Sequence, residues 1–480
     1  MRTATKALAA VIALTLLPLS ALPASAAPRL DWKPCATEAS PTLECADLVV
    51  PLDRTSGKTI SIALAKLPAT DPARRIGSLL TNPGGPGGSG VEVLKYGGQG
   101  FALDKPEMAE ARQRFDVIGF DPRGVGNSKP AVSCGPNLHD PAVSRFPKSR
   151  ADYEKLIAHN RASGQDCLKR TGPELSHVDT WSAAEDIESI RVALGEPKVN
   201  WLGVSYGTEL GAAYAEKYPK RIRTMVLDGA VDHSRPTRQA VLDEAVATER
   251  ALNDFAKWCT TSDECVLRGK DVLATYDALM RTPGGVPSKQ LGRNVTAEEM
   301  SSGAYGYLTL PFLWPYLAKG IEAATAGKPD AYGLLPHSQL DPTYGAYRSI
   351  GCHDFGSPFT GYADLKAMEL TVKVLAPHSW RYSEFWDMAS GCAGWPVASA
   401  YLPRPQKVRG AAPILVVGGE HDPATPLVWA RGLARNIENS ALLVDAGYGH
   451  TGLLNSACVR TEEVKYLVSG LTPGPGMVCR

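Results

Sequence analysis

Short apolar runs, separated by glycine- and proline-rich turns and by longer amphipathic stretches, recur along the chain. Residues 46–53 and 59–67 alternate apolar and polar positions, which predicts an antiparallel opening hairpin. Runs at 78–81, 115–120, 199–202, 224–227, 412–419 and 440–445 read as further strands, that at 412–419 as a buried parallel one. Helical periodicity lies between them, as at 208–215 and at 181–191, where Ser182 and Glu185 have the spacing of a capping box. Eight strands with interleaved helices predict a doubly wound, mostly parallel α/β sheet. At 480 residues the chain is too long for that sheet alone. The surplus, 236–409, falls after the sixth strand, carries helical runs such as 240–250 and aromatic-rich pieces at 305–308 and 380–386, and lacks strand alternation. It predicts a mainly helical cap at 236–409 on a core made of 27–235 and 410–480, with the cap's inner face setting substrate choice.

The fifth strand runs into Gly203-Val204-Ser205-Tyr206-Gly207, and a helix-like run begins at Thr208. Strand, G-x-S-x-G, helix is the context of a nucleophile elbow, which specifies the sheet as an α/β-hydrolase fold. The glycines are needed because the turn holds the serine in a strained conformation with neighbouring backbone close on both sides. On this scaffold an acid and then a histidine should follow in chain order. Asp422 lies just past the seventh strand and His450 just past the eighth, where open α/β sheets place their chemistry. Ser205 is the candidate nucleophile, His450 its base, and Asp422 the residue that orients the imidazole. Asp228 and Glu420 are weaker candidates for the acid, and His421 is a poorer base because it shares the acid's loop. The loop after the 78–81 strand, Asn82-Pro83-Gly84-Gly85-Pro86-Gly87-Gly88-Ser89-Gly90, lets main chain approach a developing oxyanion. The N–H groups of Gly85 and Tyr206 are the candidate donors. No G-K-[ST] follows this loop, and it opens no G-x-G-x-x-G helix, so a phosphate site is disfavoured.

Arg2 and Lys6 precede a largely apolar stretch at 7–19, and Ala24-Ser25-Ala26 offers small-residue cleavage before Ala27. This predicts an export signal at 1–26. No cysteine follows closely enough to suggest lipid anchoring there, and no later run approaches the ~20 apolar residues needed to span a bilayer. A secreted, soluble, monomeric protein is expected. Ten cysteines agree with an oxidising destination. Full pairing allows roughly nine hundred connectivities, so the sequence does not choose among them. Nearest-neighbour pairing, 35–45, 134–167, 259–265, 352–392 and 458–479, would close five local loops. The cysteines are scattered with no C-x-x-C, which disfavours zinc, and a complete serine site needs neither metal nor cofactor. A formal charge of +1, with 51 basic and 50 acidic residues, argues against nucleic acid or an anionic membrane as the main partner.

The 82–90 loop, Asp121-Pro122-Arg123-Gly124-Val125-Gly126-Asn127-Ser128, the elbow with Thr208, and Gly418-Gly419-Glu420-His421-Asp422-Pro423-Ala424-Thr425-Pro426 together resemble the secreted tripeptidyl aminopeptidases of actinobacteria. These are serine peptidases related to prolyl aminopeptidase. The resemblance spans essentially the whole chain after residue 26, including Cys352 and Cys392-Ala393-Gly394-Trp395-Pro396. It implies an exopeptidase that releases short peptides, tripeptides above all, from a free N-terminus, with Ser205, Asp422 and His450 at the matching positions. It also implies acidic groups near the cap that read the substrate ammonium. Glu209, Glu244 and Glu249 are the candidates, although Glu209 stands where an aromatic or small residue would be expected. The partner would be a peptide or protein substrate. A secreted carboxylesterase or lipase could use the same triad, with an apolar pocket and no carboxylate at its end. An acyltransferase would exclude water, and an adhesion module would have lost the triad.

Overall fold

The computed structural model describes residues 30–53, 55–336 and 341–480. The export signal expected at 1–26 lies outside the described residues. A two-residue edge strand, β1 (Lys33–Pro34), precedes β2 (Glu44–Pro51) and β3 (Thr59–Leu67), which pair antiparallel as the alternation predicts. Next come β4 (Gly77–Asn82), β5 (Phe115–Phe120), β6 (Val199–Val204) and β7 (Ile222–Asp228). The cap holds a separate antiparallel pair, β8 (Val286–Ser288) and β9 (Arg293–Val295), and β10 (Ile414–His421), β11 (Ser440–Tyr448) and β12 (Val478–Cys479) close the chain. The main sheet has the order β1-β2-β3-β5-β4-β6-β7-β10-β11-β12 and is parallel from β5 onward. The eight expected strands are all present, with a two-residue strand added at each edge. Strands this short carry no readable period, and the same applies to β8 and β9 in an insert expected to be mainly helical.

The parallel strands are apolar throughout because both faces are covered. Every residue of β4 and β6 is buried. Alternate side chains feed two cores: Leu80, Ile118, Trp201, Met225, Leu227 and Val416 face one side, and Leu79, Val117, Leu202, Val226, Leu415 and Val417 the other. Of the helices before β7, α1 (Gly90–Lys95) and α2 (Ala109–Arg114) pack on the second side. After the long α3 (Arg150–Thr171), α4 (Thr180–Ala193) and α5 (Tyr206–Lys217) pack on the first. The start of α4 corrects the sequence reading. Asp179 caps it, accepting from the Ser182 N–H and hydroxyl at 2.8 Å each, so Ser182 is inside the first turn and no Ser182–Glu185 box forms.

The cap follows β7. Its spine is α6 (Thr237–Thr261), whose apolar residues recur at helical spacing through Val241, Ala245, Leu252, Phe255 and Cys259. Its C-terminal half shares a core with α7 (Val272–Met280), α8 (Ala297–Leu308) and α9 (Trp314–Thr325). The N-terminal half packs with α10 (Tyr344–Asp354), α11 (Tyr362–Leu375) and α12 (Glu384–Gly391). The chain then returns through β10, α13 (Leu427–Asn436), β11, α14 (Gly452–Asn455) and α15 (Ala457–Ser469). All ten cysteines pair with their nearest neighbours in sequence: 35–45, 134–167, 259–265, 352–392 and 458–479. Cys352–Cys392 joins α10 to the residue that follows α12, and Cys458–Cys479 pins β12 to α15. Among the described residues no helix is long and apolar enough to cross a membrane. Chain order reverses at β4, which lies between β5 and β6, so the loop after β4 and the turn after β6 meet at one crevice.

Candidate active site

Ser205 occupies that crevice with φ 56° and ψ −128°, a region non-glycine residues seldom adopt. The strain is held from all sides. The Ser205 N–H donates to Asp228 O at 2.9 Å. A Cβ on Gly203 would lie 2.3 Å from Gly207 O, and one on Gly207 would lie 2.6 Å from Asn82 O. Asn82 Oδ1 in turn accepts the Gly84 N–H at 3.0 Å, which turns the glycine loop back toward Ser205. Gly85, at φ 111°, lines the same cavity as Ser205. Among the described residues neither the Gly85 nor the Tyr206 N–H is engaged by a backbone acceptor.

The buried Asp422 follows β10. Its oxygens accept from Ala424 N (2.8 Å), Thr425 N (2.9 Å), Thr425 Oγ1 (2.8 Å) and Thr451 N (3.3 Å). Both oxygens also lie against His450 Nδ1, at 3.0 and 2.9 Å. So many donors hold the carboxylate as an acceptor, which keeps the imidazole proton on Nδ1 and makes Nε2 the ring's acceptor nitrogen. Burial pulls the imidazole pKa down, but Asp422 and, behind it, Glu384 and Asp228 outweigh burial and raise it above its ordinary value. The backbone of His450 is fixed by its N–H to Thr309 O (2.7 Å) and by Asn455 Nδ2 on its carbonyl (2.8 Å). Thr425 Oγ1 is also 3.2 Å from His450 Nδ1 and so braces the Asp422 and His450 side chains together. Thr425→Val is expected to lower kcat by about 10- to 100-fold with little change in KM, while Thr425→Ser stays near wild type. Steady-state kinetics of both variants check this.

Other carboxylates and histidines are placed elsewhere. Asp228 accepts the N–H groups of Gly452 (3.0 Å) and Leu453 (2.6 Å) and so anchors the loop after His450. His421 Nδ1 bonds Asp254 at 2.7 Å and, with Glu420, faces an outer groove behind α6. The cavity at Ser205 has a volume of about 370 Å³. His450, the glycine loop, Tyr305, Tyr344, Tyr347, Tyr382 and Glu384 line it. Of the three glutamates singled out from sequence, Glu244 alone adjoins it. Glu244 accepts from Tyr305 Oη (2.9 Å) and from the N–H groups of Glu384 (3.1 Å) and Phe385 (2.7 Å). Glu209 is fully buried behind the elbow with Oε1 2.8 Å from His233 Nδ1. Glu249 bonds Ser379 N and Oγ at 2.9 and 2.8 Å and fastens α6 to the chain before α12. Neither reaches the cavity. Burial and the nearby Glu384 raise the carboxyl pKa of Glu244; burial, with Asp387 and Asp422, raises that of Glu384 against the lowering effect of His450.

Comparison with known proteins fits this geometry. The family model for the alpha/beta hydrolase fold matches residues 77–283, and that for the TAP-like protein matches 378–479. Tripeptidyl aminopeptidase of Streptomyces lividans is 31% identical, over 94% of this chain and 86% of that protein. The chain belongs to the TAP-like family of α/β-hydrolases. It is a serine hydrolase. Serine protease Hip1 of Mycobacterium tuberculosis is 31% identical, over 94% of this chain and 91% of that protein. Carboxylesterase B of the same species is 33% identical, over 94% and 90%. TAP-like relatives thus carry both peptidase and esterase names, and the residues of the cavity must discriminate. Glu384 is the side chain that sequence reading passed over. It sat within the aromatic-rich piece at 380–386, and its signal is an acid opening a helix behind a Ser383 N-cap.

Proposed function

We propose that this TAP-like chain is a secreted serine exopeptidase that releases short N-terminal peptides, tripeptides in particular, from substrates with a free amino terminus. One observation carries the choice of an amine-bearing substrate. Glu384 opens onto the cavity of Ser205 and His450, with Glu244 directly behind it. A pocket built for an ester's acyl chain has no use for two desolvated carboxylates, whereas a substrate ammonium would compensate them. In this reading His450 takes the proton of Ser205, whose Oγ attacks the scissile carbonyl. The oxyanion is held by the N–H groups of Gly85 and Tyr206. His450 then gives the proton to the departing amine, and a water activated by the same imidazole frees the N-terminal fragment. The relatives' names, tripeptidyl aminopeptidase and serine protease, point the same way. Five disulfides suit an extracellular destination.

The test is a panel: a free-amine tripeptide anilide, its N-acetylated twin, a single-residue anilide and a short-chain nitrophenyl ester. Preference for the free tripeptide by orders of magnitude is expected. Turnover of the ester with every peptide untouched would establish the esterase reading, for which the relative named carboxylesterase B is the precedent.

The pH dependence should differ between substrates. His450 works as a base only when neutral, so its raised pKa makes kcat fall as pH drops through a value above the usual imidazole range. Glu384 and Glu244 must be ionised to hold an ammonium, and their raised pKa values add to the acid limb of kcat/KM for peptides. On the alkaline side the substrate amine loses its charge near pH ~8, which produces a second limb. The ester, lacking an amine, should show the imidazole limb alone. Profiles of kcat/KM for both substrates check this.

A further inference from the structure

The Tyr206 side chain runs away from the cavity into a buried chain of hydrogen bonds. Its hydroxyl meets Thr180 Oγ1, in the first turn of α4. Thr180 Oγ1 donates to Asp354 Oδ2 at 2.7 Å, and the Thr180 N–H donates to Asp354 Oδ1 at 3.1 Å. Either hydroxyl can supply the proton between Tyr206 and Thr180, and the chain of bonds is continuous from the phenol to Asp354. Thr180 and Asp354 are wholly buried, and Tyr206 nearly so. Asp354 is the last residue of α10, whose earlier residues Tyr344 and Tyr347 line the cavity. A carboxyl group is a costly way to fill space; an apolar side chain would be at least as stable there. What the arrangement supplies is a fixed position for the phenol. It fixes the residue that directly follows the strained Ser205 from below, and strain at Ser205 persists only where neighbours over-determine the backbone.

Resting on the reading of Tyr206 N–H as an oxyanion donor, we propose that Thr180 and Asp354 are positioning residues that aim this N–H, and that α10 thereby couples the substrate-lining wall of the cap to the oxyanion hole. Donors of this kind work only when held near the oxyanion's position, and misplacement by a fraction of an ångström is felt in the transition state but not in ground-state binding.

Tyr206→Phe keeps the backbone N–H and the ring while removing the anchor; Thr180→Val removes the hub with little change of shape. Each is measured for kcat and KM on the best peptide substrate. Each is also measured for binding of a tripeptide aldehyde, which adds Ser205 Oγ and places an oxyanion in the hole, and of the product tripeptide with its carboxyl reduced to the alcohol, which does not. We expect kcat and aldehyde affinity to fall together by about tenfold, with KM and alcohol affinity within about twofold of wild type. Thr180→Ser should restore both. Loss of thermal stability with kcat unchanged, or equal weakening of aldehyde and alcohol, would overturn the inference and leave the chain as packing. If wild type binds the aldehyde no better than the alcohol, the oxyanion-hole reading fails first and the inference falls with it. Should Thr180→Val not fold, Tyr206→Phe carries the test alone, since the Thr180–Asp354 bonds remain in it.

Discussion

Ser205→Ala is expected to lower kcat by about 10⁴- to 10⁶-fold on every substrate the wild type cleaves, peptide or ester alike. The size follows from the site's construction. The serine is the sole side chain that can form the acyl-enzyme in this reading, while Asp422, His450 and the glycine loop are built around it and have no substitute reaction to catalyse. The variant should bind product peptide as wild type does, because Ser205 contributes one small side chain to a cavity lined by many. A companion change separates chemistry from strain. Ser205→Gly should be equally inactive yet more stable by about 1 kcal/mol, since glycine adopts φ 56° and ψ −128° without the cost a side chain meets there. Thermal melts and kinetics of the two variants check both statements. Turnover by Ser205→Ala within about tenfold of wild type would remove this residue from the chemistry.

How far the sequence foretold this arrangement depended on whether the signal was local. The elbow glycines were legible because the reason for them is short-ranged: Gly203 and Gly207 touch backbone one turn or one strand away. The strands of the parallel sheet were legible because burial on both faces makes them continuously apolar. Asp422 and His450 could be read from chain order and strand ends, since the fold fixes the sequence in which those ends reach the crevice. The ends of α4 misled because Asp179 and Ser182 are both good caps, and only the geometry of the preceding segment puts Asp179 at the boundary. The glutamates misled for a different reason. Glu209, Glu244 and Glu249 all lie on helices near the site, and each is buried, but burial serves a different partner in each case: His233, the N-terminus of α12, and Ser379. Which of them adjoins the cavity depends on how α8, α10 and α12 of the cap fold over Ser205, a set of contacts that for Glu244 spans 61 to 141 positions. No period in the chain encodes that. The Thr180–Asp354 link escaped for the same reason, as it spans 174 positions between core and cap.

Glu384→Gln should separate substrates rather than abolish activity. The substitution keeps the shape and removes the charge of a carboxylate that lines the cavity beside His450, so kcat/KM for a free-amine tripeptide is expected to fall by about 10²- to 10³-fold. The acetylated peptide and the short ester, having no ammonium to lose, should change by less than about threefold. A second signature follows from the proximity of Glu384 to His450. A carboxylate near an imidazole favours the charged ring, and Glu384 is among the groups that raise the His450 pKa. Without that charge the ring gives up its proton more readily, so the acid limb for ester hydrolysis should move to lower pH even as the ester's maximal rate stays put. Glu244→Gln is expected to behave differently. Its oxygens are already occupied by Tyr305 and by the N–H groups that open α12, so its loss should lower thermal stability as well as peptide turnover. Equal losses on peptide and ester in Glu384→Gln would mean that Glu384 serves the histidine or the fold instead of the substrate. Any amine preference would then have to be sought at Asp341 and the tyrosines that share the cavity wall.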